Sequence, residues 1–189
     1  FTPNSSTVLV NASRVDKQVD MVADFFKEMV DLDVAVQNVG SSNAIVFTLD
    51  SSLKSTVGEE GYTINATSTK IDVKAATEIG LLYGGISVVQ SVYADGYFPC
   101  GDAVDYPAYS KRTGMIDVAR AYVPMTELNK ITRYMAWYKM NEVQIHLNDV
   151  GWYDYNPFRL ESDIKGLSSK DGYYTKDEYR AYQKKMLEY

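Results

Sequence analysis

One cysteine and one histidine in 189 residues leave little for a metal and nothing for a disulfide. A lone Cys has no partner within the chain, and a finger-type zinc site needs four Cys or His ligands. Basic charge is also short. The 19 Lys and Arg face 25 Asp and Glu, a formal net charge of −6. That argues against nucleic acid as a partner, because phosphate binding needs clustered cations. No run of 18 apolar residues exists, so no segment has the make-up of a membrane-spanning helix. The chain has no initiator Met and no signal-peptide pattern. Its start at Phe1 reads as though cut from something longer. There is no Gly-x-x-x-x-Gly-Lys loop for phosphates and no Ser in a nucleophile-elbow context.

What is present is the composition of a folded chain, 46% hydrophobic and 23% charged. The length fits one domain, or one domain with part of another. The two halves differ. Residues 1–100 carry 12 acidic and 6 basic side chains, whereas residues 101–189 carry 13 of each. Tyrosine is skewed too, with 12 of its 16 copies after residue 100, where both Trp137 and Trp152 also lie. The shift falls in Gly101-Asp102-Ala103-Val104-Asp105-Tyr106-Pro107, which has turn chemistry. We therefore expect domains at 1–105 and 106–189. Aromatic rings mixed with Arg, Asp and Asn suit a polar ligand with apolar faces, such as a sugar, although Tyr also fills half-buried positions for no functional reason.

The first part reads as a sheet with two helices on one face. Val15, Val19, Val22, Phe26 and Met29 recur at helical spacing, and Ser13 three residues before Asp16 approximates a capping box. Thr7–Val10, Ala44–Leu49, Tyr62–Ala66 and Lys70–Ala75 read as strands. In the last of these Ile71, Val73 and Ala75 alternate with Asp72 and Lys74, giving one buried and one wet face. Thr77–Val92 is a second helix with little charge. Its Gly84-Gly85 pair costs about 1 kcal/mol per residue against Ala, and close approach to the sheet is the expected compensation. No nucleophile, base or metal cluster appears here, so this part reads as scaffold. The sequons at Asn4, Asn11 and Asn65 fit an exported protein, but with nine Asn residues in a Ser/Thr-rich chain about one or two arise by chance, so the signal is weak.

The second part alternates strand, helix, strand, long loop, helix, the order of parallel β/α units. Gly114–Ala119 and Glu142–Leu147 are the strands. Thr126 is the expected cap of a helix with Leu128, Ile131, Met135 and Tyr138 in register. Thr175 with Glu178 is a capping box for a last helix carrying Tyr179, Tyr182 and Met186. Sites in such folds collect on the loops after strand C-terminal ends. Arg120 follows one strand end and Asp149 the other, so adjacent parallel strands bring them to one rim. A guanidinium fork and a carboxylate there can hold vicinal sugar hydroxyls, with Trp152 lining a ring face. An ordinary ion pair beside an aromatic residue is the alternative. Asp117 sits among apolar neighbours and needs partners. His146 shares a face with Gln144, and the two strands can bring His146 beside Asp117. A satisfied core histidine is the alternative to a functional one.

Four segments together resemble the start of the catalytic domain of glycoside hydrolase family 20, the β-N-acetylhexosaminidases and lacto-N-biosidases. They are Arg112-Thr-Gly-Met-Ile-Asp-Val-Ala-Arg120, Tyr138-Lys-Met-Asn141, His146-Leu-Asn-Asp149 and Phe158-Arg-Leu-Glu-Ser162. Ala76-Thr-Glu-Ile-Gly-Leu-Leu-Tyr-Gly-Gly85 is similar to the second helix of the α+β domain that precedes the barrel in that family. The resemblance implies an α+β sandwich domain followed by an incomplete TIM-barrel-type (β/α) segment. It implies action on glycans ending in N-acetylhexosamine, or on lacto-N-biose units, with retention. The substrate's own 2-acetamido oxygen is the nucleophile, an exception to the two-carboxylate scheme. An Asp orients that group and the following Glu is the acid/base. By the resemblance Arg120 would bind sugar hydroxyls and Asp149 would hold a His from outside this chain; Trp152 as a substrate contact, with Asp117 and His146 in support, rests on where these residues fall along the strands and the loop after them.

This chain departs from the family pattern in two ways. Asp149 is followed by Val150-Gly151-Trp152, one residue shorter than the Asp-Asp-Gln form. The catalytic Asp-Glu in its Gly-Gly-Asp-Glu context is absent. Two β/α units of an expected eight cannot close a barrel. We therefore expect the chain to be inactive alone, and either to be marginally folded in its second part or to bury its open surface by self-association. No metal or organic cofactor is implied. The parent would be secreted or held at the cell surface. Two other readings stand beside this one. The first is a non-catalytic glycan-binding module and the second a structural α+β interaction domain.

Overall fold

The computed structural model describes residues 1–40, 42–150 and 157–189. The chain divides into two compact units, Phe1–Ala108 and Tyr109–Tyr189.

In the first unit the elements run β1 (Val8–Asn11), α1 (Asp16–Val30), β2 (Ala35–Gln37) and β3 (Ala44–Leu49). After a 3-10 turn at Ser51–Leu53 come α2 (Lys54–Val57), β4 (Tyr62–Ala66), β5 (Lys70–Ala75), α3 (Glu78–Asp95) and β6 (Gly101–Asp105). The six strands form one mixed sheet in the order β2-β1-β3-β5-β4-β6. Strands β2, β1, β3 and β5 run parallel, and β4 is antiparallel to both β5 and β6. Register puts Leu9, Ile45, Phe47, Ile71, Val73, Ile64 and Tyr62 on one face, and all are buried. Helices α1 and α3 pack on each other and on the sheet. The burial pattern of β5 follows the alternation of its sequence, with Ile71, Val73 and Ala75 inside.

The glycine pair of α3 is explained by close packing. A Cβ on Gly84 would stand 2.5 Å from the Val73 side chain, and one on Gly85 would stand 2.4 Å from Val22 of α1. One glycine therefore lets α3 approach β5, and the next lets it approach its partner helix.

Three expectations for this unit need correction. Ser13 does not cap α1, because its Oγ accepts the Leu49 amide at 2.8 Å. Asn11 supplies the polar contacts there, accepting the Val15 amide at 2.8 Å and donating to Asp16 at 2.7 Å. The Gly101–Asp105 segment is not a turn but the edge strand β6. The Tyr62 hydroxyl bonds the Asp105 carboxylate and lies 2.6 Å from the Ser87 hydroxyl. Strand β2 was not expected at all. Both edge strands are exposed along their length, so neither carries the half-buried alternation that marks a strand.

The second unit contains β7 (Thr113–Asp117), α4 (Met125–Trp137), β8 (Glu142–His146) and α5 (Lys176–Met186). Strands β7 and β8 pair in parallel and α4 connects them, a β/α/β unit. Ile116, Ile145 and Leu147 pack with Val118, Leu128, Tyr174 and Tyr182 in the core. The capping box of α5 forms as its sequence implies, Thr175 accepting the Glu178 amide and Glu178 accepting the Thr175 amide. Helix α4 differs from expectation. It starts at Met125 behind Pro124, without a Thr126 side-chain cap, and its buried residues are Leu128, Thr132, Ala136 and Trp137. Ile131 and Tyr138 are exposed. The stripe is therefore rotated, and the Thr132 hydroxyl that it buries is satisfied on the Leu128 carbonyl at 3.0 Å, as a buried polar group requires. Among the described residues this unit's sheet has two strands and is not a closed barrel.

Candidate functional site

The site is built by the ends of β7 and β8. Their register pairs Asp117 with His146 and Met115 with Gln144. These four residues share one face because strand side chains alternate. Past β7 the chain turns on the Asp117 side chain. Its Oδ1 accepts the amides of Ala119 and Arg120, each at 3.0 Å. That local turn needs a short acceptor side chain, which Asp supplies. It brings Arg120 back over the strand it has just left, so that Nη1 reaches Asp117 Oδ2 at 3.0 Å.

Arg120 Nη2 meets Asp149 Oδ2 at 2.8 Å. One guanidinium thus joins two carboxylates at the C-terminal rim of two parallel strands. Asp149 is the more enclosed end, with a side chain 15% exposed against 51% for Arg120. The His146 ring Nε2 lies 3.0 Å from the same Asp149 oxygen, and Oδ1 accepts the Val150 amide at 2.7 Å. The His146 hydrogen bond first and then the Val150 amide, with a lesser part from the Arg120 charge, hold the Asp149 carboxyl below its ordinary range against the opposing effect of burial. A carboxylate has about four lone-pair positions. These three donors leave room for one more.

Arg120, Asp117, Asp149 and His146 are therefore brought together. Trp152 lies outside the described residues. A cavity of about 430 Å³ opens beside Asp149, lined by Asn148, Val150, Pro157, Phe158 and Leu167. Another, of about 270 Å³, lies by the start of β8 among Met135, Met140, Val143 and Met186 and holds none of the site groups. Among the described residues no three His, Cys, Asp or Glu side chains gather as metal ligands, and no helix is long and apolar enough to cross a membrane.

Sequence reasoning missed Arg159. It is fully buried and bonds the Val118 and Ala119 carbonyls, next to Arg120. It stands in a loop where no periodic pattern applies. The signals were a charge between Phe158 and Leu160 and the place of Arg159 in the Phe158–Ser162 segment that resembles the family, and neither gave it a role.

Residues 1–106 match the model of glycosyl hydrolase family 20, domain 2, and residues 109–187 match that of the glycosyl hydrolase family 20 catalytic domain. A lacto-N-biosidase of Bifidobacterium bifidum is 24% identical over the whole of this chain, which covers 16% of that protein. A β-N-acetylhexosaminidase of Cellulomonas fimi is 32% identical over 54% of this chain and 22% of its own length. The family 20 exo-β-N-acetylglucosaminidase of Vibrio harveyi, solved in complex with N-acetylglucosamine, superposes with a TM-score of 0.80 at 17% identity. That match covers all of this chain and 32% of the other. The chain thus spans a minor part of the length of the relatives it matches. Two adjoining matches take in both compact units and the paired strand ends that carry Arg120 and Asp149, and by them the chain belongs to glycosyl hydrolase family 20.

Proposed function

We propose that a protein carrying this chain is a retaining glycosidase. It removes terminal N-acetylhexosamine, or lacto-N-biose units, from glycans with the help of the substrate's own acetamido group. Arg120, Asp117 and Asp149 form part of its sugar-binding rim, and Trp152 lines the sugar. The observation that carries this reading is the Arg120 guanidinium held between two carboxylates at 2.8 and 3.0 Å where two parallel strands end. The fork is fixed in orientation before any ligand arrives, and its half-exposed face suits hydroxyls that both accept and donate. Asp149 anchors Arg120 through one oxygen and keeps capacity for a further donor, the role proposed for a histidine from outside this chain. His146 supports it from within.

The substrate-assisted route needs a carboxyl pair that no Gly-Gly-Asp-Glu sequence here supplies. The chain by itself is expected to leave nitrophenyl N-acetylglucosaminide intact. Export or surface attachment belongs to the same proposal, since polymeric glycans lie outside cells. Asn4 and Asn65 are exposed enough to carry a glycan, whereas Asn11 is buried.

Titration of the chain with N-acetylglucosamine, N-acetylgalactosamine and glucose, followed by amide NMR, tests the reading. The acetamido sugars should shift Ala119, Arg120 and the Asn148–Val150 amides. Arg120→Ala should weaken binding by about 1.5–3 kcal/mol, the worth of a charged hydrogen bond. Glucose binding as strongly as the acetamido sugars, or no response in this region, would sink the assignment of Arg120 and Asp149 to the sugar-binding rim.

A further inference from the structure

The side chain of Arg159 has no exposure to solvent. A buried guanidinium is costly unless its charge and its donors are all matched. Here they are matched by one compact set of acceptors. Nε donates to the carbonyls of Val118 at 2.9 Å and Ala119 at 3.1 Å, and Nη2 to Ala119 at 2.8 Å. Nη1 donates to the Gly172 carbonyl at 2.9 Å. Asp171 closes the fork from the other side, at 2.6 and 3.1 Å. The guanidinium carbon lies 5.9 Å from the centre of the Tyr122 ring.

The backbone of the same residue reaches the other strand. Its amide donates to the Leu147 carbonyl at 2.9 Å, and its carbonyl accepts the Tyr174 amide at 2.9 Å. Leu147 follows β8 directly and stands two residues before Asp149. Val118 and Ala119 follow β7 directly and precede Arg120. One residue thus holds both strand ends just before each delivers its half of the site.

We propose that Arg159, neutralised by Asp171, is a positioning residue that sets the separation of Arg120 and Asp149 and so keeps the sugar-binding fork in register. The proposal rests on the sugar-site reading above. An apolar residue of like volume would fill the space with less desolvation. It would leave the Val118 and Ala119 carbonyls, which have passed the end of the ladder, without these donors. A lysine could reach some of those acceptors but has no rigid planar fork to fix their spacing. The surroundings are shaped for the fork as well. Gly172 adopts φ +140°, and a Cβ there would come within 2.5 Å of the Tyr122 ring. Only glycine therefore lets that ring and the Gly172 carbonyl both serve Arg159.

The test uses the 189-residue chain with Arg159→Lys and Asp171→Asn. The first readout is the nitrogen-15 side-chain signal of Arg120, identified by its loss in Arg120→Lys. The second is the N-acetylglucosamine titration. In folded Arg159→Lys the dispersed amide spectrum should persist while the Arg120 signal collapses to that of a freely rotating, solvent-exchanging guanidinium. Affinity for the sugar should fall about tenfold, the loss of one well-aligned charged hydrogen bond. Asp171→Asn should show the same change in weaker form. An Arg120 signal and an affinity that stay at wild-type values in either folded variant would overturn the proposal. So would unfolding of both variants, which would make Arg159 a core element and no more. If the parent chain binds no sugar while its Arg120 signal is ordered and is lost in the variants, the positioning role stands and the sugar-site reading falls.

Discussion

At the scale of single residues the site depends on three charges balancing across two strand ends. Asp117 has two tasks, turning the chain through Oδ1 and pairing with Arg120 through Oδ2. Asp117→Asn keeps an oxygen for the turn, whereas Asp117→Ala loses both contacts. The Ala variant should therefore be the less stable of the two by about 0.5–1.5 kcal/mol, the net worth of a hydrogen bond, since it loses the acceptor of the part-buried Ala119 amide and the exposed Arg120 amide, as read from urea unfolding. Asp149 makes a pH prediction. Its folded pKa lies below the ordinary 3.8, so the folded state holds the charged form more tightly than the unfolded state does. The resulting stability is present above pH 3.8 and is lost as pH falls through the lower, folded value. The Arg120 signal should keep its ordered form down to pH 3.8 and change only below it. A change centred well above 3.8 would show that the carboxylate is not held as described. These residues were legible because strand alternation and the rule for strand C-terminal ends apply to Arg112–Arg120 and His146–Asp149. Arg159 was not, because a loop residue is placed by the acceptors it finds in space.

At the scale of elements, close packing and end chemistry decide. Gly84 and Gly85 sit where a methyl group would press on Val73 and Val22. Gly85→Ala gains about 1 kcal/mol in helix propensity, but overpacking a tight core costs about 1–3 kcal/mol. Val22 and Phe47, the groups it would meet, are fully buried and have little room to yield. A lower urea midpoint is the expected outcome, and a higher one would mean that α1 and α3 can move apart. Helix α5 depends on its start, where Thr175 and Glu178 satisfy each other's amides. Thr175→Ala should cost about 0.5–2 kcal/mol and fray the first turn in hydrogen exchange. Strands β3, β4 and β5 fall at the boundaries their sequences imply because each has at least one face in the core. Strands β2 and β6 lie at sheet edges with both faces wet, and no pattern of alternation could announce them. The α4 stripe was misread for a related reason. Hydrophobicity alone cannot foresee that Thr132 would bury its hydroxyl on its own helix while Ile131 and Tyr138 face solvent.

At the scale of the whole molecule the two units carry unequal risk. The Phe1–Ala108 unit closes its sheet face with two helices and buries an aromatic and aliphatic core. The Tyr109–Tyr189 unit covers one face of β7 and β8, while Met115 on the other face is 59% exposed. Among the described residues the two-stranded ladder also leaves one edge of each strand without a ladder partner, and such edges invite pairing with another chain. We propose that the isolated chain self-associates through this open face. Light scattering should give a mass that rises above 21.2 kDa with concentration, with binding of an apolar dye that falls as association proceeds. Met115→Lys should reduce both effects, because a charge at the centre of the face is costly to bury unpaired. The neighbours Gln144 and His146 on the same face are polar and leave Met115 as the main apolar contact there. A compact monomer with little dye binding at every concentration would mean that the open strands are tolerated in water, and the argument from unpaired edges would fail for this chain.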